Sequence, residues 1–158
     1  MPAPAREALP GRASFHSLEH PGGLSRRWTF ARRLVAPLAT CFLPLMIGAL
    51  VAVLQTYSAL PFLTIGFPLA LALAAAWTFY RMHATPAEVH VRPGMAAVRS
   101  VWAAAGPERR LQWRPIYELR FDPSTITAGI GDAAYEFDRQ SWPEADALLT
   151  ALHAARDA

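Results

Sequence analysis

The chain has 158 residues, a sequence isoelectric point near 9.6 and a formal charge of +3, and all 15 of its basic residues are arginine. Residues 1–33 carry six Arg against Glu7 and Glu19, Arg81 follows alone, and residues 84–158 carry eight Arg against ten acids. The excess positive charge is therefore not on the part long enough to fold as a domain, which speaks against nucleic acid as a partner, and the length leaves room for one small domain only.

In chain order, residues 1–25 mix Pro2, Pro4, Pro10, Pro21, Gly11, Gly22 and Gly23 with scattered charges and no sustained period. They read as part of a disordered basic arm over 1–33. His16 and His20 are spaced i, i+4 and could share a metal, but no third ligand lies nearby in sequence, so an ordinary solvated segment is expected. Arg26, Arg27, Trp28, Arg32 and Arg33 then crowd against a long apolar run. A twin-arginine export signal starts with similar residues, but its apolar core is short and ends at a cleavage site. Here the core is long, contains Pro37 and Pro44, and is followed at once by a second one.

Residues 34–80 contain no charged side chain, and Gln55-Thr56-Tyr57-Ser58 divides them into two apolar blocks, 34–54 and 60–80. At 1.5 Å of rise per residue each block spans about 30 Å, the thickness of a bilayer core, so a transmembrane hairpin is expected. Arginine before the first block, Arg81 after the second and an uncharged connection place both termini in the cytoplasm by the positive-inside rule. Trp28, Trp77 and Tyr80 complete the interfacial anchors. Gly48 with Ala52, and Gly66 with Ala70, are four apart and suit close helix packing. The spans hold no Asp, Glu, His or Arg, so they offer no ion pathway, proton relay or cofactor ligand. Cys41, the sole cysteine, reads as a small apolar packing residue.

From Thr85 the period changes to two. Glu88–Arg92, Ala97–Trp102, Arg110–Phe121, Thr125–Ala128 and Ala134–Phe137 read as strands, separated by turns at Pro93-Gly94, Gly106-Pro107, Asp122-Pro123-Ser124 and Gly129–Asp132. Ser141-Trp142-Pro143-Glu144 has the form of a capping box before an amphipathic helix carrying Ala145, Leu148, Leu149 and Leu152. The expected fold is a membrane α-helical hairpin plus a small α+β domain over 84–158, an antiparallel sheet or roll with one C-terminal helix.

Two helices, a meander and a closing helix resemble the small bacterial membrane proteins with a pleckstrin-homology-like domain. The residues that carry the likeness are Val89, Val91 and Gly94, the run Leu111, Trp113, Ile116, Leu119, the strand Tyr135–Phe137, and Trp142, Leu148, Leu149 and Leu152. The likeness covers residues 34–155 and implies a fold more than a chemistry. Lipid-headgroup binding would draw on Arg109, Arg110 and Arg114. No nucleophile with its base, carboxylate pair, phosphate loop or metal set is apparent, so no catalysis, cofactor or small-molecule substrate is expected. The reading is a non-enzymatic protein of the bacterial inner membrane whose cytoplasmic domain binds other membrane or cytoplasmic proteins as scaffold, assembly factor or regulator. The alternatives are an accessory subunit held in a larger complex through its hairpin and arm, and, less strongly, recognition of anionic lipid.

Overall fold

The computed structural model describes residues 12–107 and 110–158. They divide into two compact units, residues 23–84, and residues 12–22 together with 85–158.

The first unit is a pair of helices. Helix α1 (Arg26–Leu54) starts well before the expected Leu34, because Ser25 is extended and its carbonyl accepts both the N–H and the hydroxyl of Thr29. The basic cluster is thus the first part of the helix and not a disordered lead-in. Helix α1 ends in a Schellman arrangement: Tyr57 N–H donates to the Ala52 carbonyl and Thr56 N–H to the Val53 carbonyl. Thr56 occupies the left-handed position with φ 65°, where glycine is usual. Residues Phe62–Gly66 form a π-helical turn ahead of α2 (Phe67–Ala84). Pro68 lacks an N–H and its ring crowds the Thr64 carbonyl, and a wider turn accommodates both.

The second unit is a six-stranded antiparallel meander with the spatial order β1 to β6. The strands are β1 (Ala13–His16), β2 (Pro86–Arg92), β3 (Met95–Ser100), β4 (Arg114–Phe121), β5 (Thr125–Ile130) and β6 (Ala133–Asp138). Strand β1 overturns the expectation of disorder at that point. Its Phe15 is apolar and alternates with polar neighbours, and it pairs with Val89 across β2. Between β3 and β4 only Met95–Pro115 and Ala96–Arg114 pair, so the sheet bends there into two three-stranded halves. Residues expected to extend the second strand instead form a short helix, α3 (Val101–Ala104), because the Ser100 side chain accepts the Ala103 N–H and turns the chain.

One face of the sheet is covered by α4 (Ala145–Arg156). Phe15, Val89, Val91, Ala96, Ile116, Ile126, Ala128, Ile130 and Phe137 from the strands meet Ala145, Leu148, Leu152 and Ala155 from the helix. Trp142 closes one end, edge-on to Phe137 at 5.3 Å, and the Gly94 N–H donates to the Ala155 carbonyl at the other. The capping box is not formed. Ser141 lies in a 3₁₀ turn (Arg139–Ser141), its hydroxyl donates to Asp138, and its carbonyl accepts the Leu18 N–H. The hydroxyl that would cap is thus engaged with Asp138, and the helix starts only at Ala145, with Glu144 at its N-cap position.

Candidate functional site

Among the expected anchors, Arg26, Arg27, Trp28, Arg32 and Arg33 lie in the first two turns or so of α1, and Trp77, Tyr80 and Arg81 in the last two of α2. Trp28 and Tyr80 are about 70% exposed. Of the four small residues, Gly48 and Gly66 lie where α1 meets the π-helical turn. A Cβ on Gly48 would sit 3.0 Å from the Phe62 ring, and one on Gly66 would sit 2.3 Å from Leu45. Ala52 and Ala70 are buried in the same unit. The outward side chains are apolar all round: Val35, Leu43, Leu50, Leu54, Ile65 and Leu69 are each more than half exposed.

The candidate anion contacts are dispersed. Arg109 lies outside the described residues, and Arg110 is exposed. Arg114 donates to Asp132 at 2.6 Å and packs over the Gly131 turn, so its charge is already matched by a carboxylate.

The most chemically distinctive cluster is on the face of the sheet opposite α4. Antiparallel register aligns His16, Glu88 and Arg99 in one row across β1, β2 and β3, since His16 pairs with Glu88 and Glu88 with Arg99. His90 is two residues from Glu88 on the same face, and His20 returns from the turn after β1. Glu88 is 7% exposed and fully engaged. Its Oε1 is 2.6 Å from His20 Nε2, and its Oε2 accepts from Arg99 Nη1 at 2.8 Å and lies 3.4 Å from His90 Nε2. Arg99 also donates to the Ala103 carbonyl at 2.6 Å, which ties α3 into the cluster. The Gly22 N–H donates to His20 Nδ1, so the neutral ring carries its proton on Nε2 and donates it to Glu88.

Burial pushes the Glu88 carboxyl up, but hydrogen bonds from His90 and His20 and the Arg99 charge more than offset it. The net result is a carboxyl lowered to about 2. It therefore stays ionised at any neutral or mildly acidic pH. His16 stands edge-on to His20, with ring centroids 4.6 Å apart. One ligating atom from each of His16, His20 and Glu88 lies within 4.8 Å of the other two. The i, i+4 histidine pair was visible in the sequence. Its third member was not, because Glu88 is 68 residues beyond His20 and reaches it only through the β1–β2 pairing.

No family model, curated protein or solved structure matches this chain.

Proposed function

We propose that this is an integral membrane protein whose two helices cross a bacterial inner membrane and whose cytoplasmic, pleckstrin-homology-like domain binds another protein in a non-enzymatic role. The observation that carries the reading is the outer surface of the helical pair. It presents large aliphatic side chains in every direction with no charge between Leu34 and Tyr80, a surface that water disfavours and a bilayer matches. The sheet adds independent support for the topology. Strand β1 precedes the hairpin and β2 follows it, so their pairing needs both ends of the hairpin on one side of the membrane. The arginines flanking the hairpin support the cytoplasm as that side.

Within the domain, Tyr117 and Phe121 are 70% and 52% exposed on β4, and exposed aromatic residues are enriched where proteins meet. Gly48 and Gly66 are spent on the hairpin's own seam, and Arg114 is matched by Asp132. Those two facts favour the domain over the hairpin, and protein over anionic lipid, as the recognition element.

Two experiments test this. In a Cys41→Ala background, Tyr57→Cys is expected to react with a membrane-impermeant maleimide on intact spheroplasts, and Asp122→Cys only after permeabilisation; labelling of both from outside would reject the topology. Affinity capture in mild detergent should then lose its stoichiometric partner on Tyr117→Ala with Phe121→Ala. Retention of every captured protein after deletion of residues 85–158 would reject the domain as the binding element.

A further inference from the structure

We infer that His16, His20 and Glu88 form a binding site for one divalent transition-metal ion of the zinc class, which fastens β1 to β2. The inference stands on the second unit alone and does not depend on membrane insertion or on a protein partner.

The donor set is two imidazoles and one carboxylate, a combination that zinc takes with an open fourth position. Calcium and magnesium prefer all-oxygen ligands and are disfavoured by it. A tetrahedral ion with bonds of about 2.0–2.2 Å holds its ligand atoms roughly 3.3 Å apart. That spacing falls between the 2.6 Å of the His20–Glu88 pair and the 4.8 Å that bounds the whole group. The backbone already brings all three side chains together, so only side-chain adjustments remain.

The two oxygens of Glu88 have separate surroundings. Oε2 is held by Arg99 and His90, while Oε1 faces His20. Arg99 and His90 thus occupy the place of the outer hydrogen-bonding partners that orient a metal-bound carboxylate. The Arg99 guanidinium donates to Oε2 at 2.8 Å and to the Ala103 carbonyl. An ion would replace the His20–Oε1 hydrogen bond with two coordinate bonds. Coordination through Nε2 puts the His20 ring proton on Nδ1 and releases the Gly22 N–H, a change confined to an exposed glycine turn. The ligands come from β1, from the turn that follows it and from β2. Occupancy therefore links the edge strand to its neighbour through side chains as well as backbone bonds.

The test uses the full chain with a non-histidine tag, in mild detergent, stripped with EDTA and titrated calorimetrically with zinc chloride. One zinc per chain is expected, with affinity weakened at least roughly tenfold by His16→Ala with His20→Ala, the loss that even an outer-partner change can cause. His153→Ala, on the opposite side of the sheet core, is expected to bind as the parent does. Equal affinity in the double variant, or no saturable binding by the parent, overturns the proposal. Because changes at β1 can disturb the strand itself, X-ray absorption on the zinc-loaded parent supplies a second reading. Two imidazoles and a carboxylate oxygen at about 2.0–2.2 Å are expected, and fewer than two imidazoles overturns it.

Discussion

Glu88 shows how a single buried charge is tolerated in so small a domain. Three cationic or hydrogen-bonding partners surround it, and replacing it removes the carboxylate that the Arg99 guanidinium faces at 2.8 Å. In EDTA, Glu88→Gln is expected to lower stability at pH 7 by about 3 kcal/mol. The folded carboxyl titrates near 2 and the unfolded one near 4.5, so the unfolded state takes up protons first as pH falls. The contribution is fully present above pH 4.5 and is lost between there and about 2. Denaturation followed from pH 7 to 2 should show parent and variant converging in acid, and a constant gap would refute the assignment. Thr56 offers the opposite case. A β-branched residue at φ 65° carries strain, so Thr56→Gly is expected to stabilise the helical unit by about 1 kcal/mol in detergent unfolding.

At the scale of elements, the helical pair depends on close approach at two glycines. Gly66→Leu puts a branched side chain where even a Cβ lies 2.3 Å from Leu45, and it is expected to cost about 1–3 kcal/mol and to separate the helices. Energy transfer between labels at Val35 and Phe79 would report the separation, and unchanged transfer with unchanged stability would count against the seam. These elements also mark how far sequence reasoning reaches. The apolar blocks, the alternation of Val89 and Val91, the Pro93-Gly94 turn and the stripe on α4 are local patterns and appear in the structure. The turn expected over Gly129–Asp132 shrinks to Gly131-Asp132, because Gly129 and Ile130 pair on both sides as the end of β5. Strand β1, helix α3 and the unformed capping box were not legible. In β1 a four-residue alternation is too short to outweigh the prolines and glycines around it. At Ser141 the hydroxyl is engaged by Asp138 and the backbone carbonyl by the distant Leu18 N–H, so a 3₁₀ turn stands where the cap was expected. The His16–His20–Glu88 cluster was legible only in its local pair for the same reason, since its third ligand arrives through long-range register.

For the molecule as a whole, the second unit is assembled from two stretches of chain separated by the hairpin. A fragment beginning at residue 85 lacks β1, the buried Phe15 ring and the Leu18–Ser141 bond. Losing the ring alone costs about 3–5 kcal/mol, so that fragment should aggregate or melt far below a version with residues 12–22 joined ahead of residue 85 by a flexible linker. Equal thermal stability of the two would mean that β1 is dispensable.

This interleaving also sets a timetable for biogenesis. Ala13 leaves the ribosome long before its partner Val91, and at about 5–20 residues per second the delay is roughly 4–16 s. On the proposed reading the hairpin enters the bilayer within that interval, while the first strand waits without its partner β2. If the hairpin crosses a bilayer as proposed, completion of the sheet reports correct insertion, because a hairpin with one end on the wrong side would keep β1 from β2 and leave Val89 without Phe15 beside it.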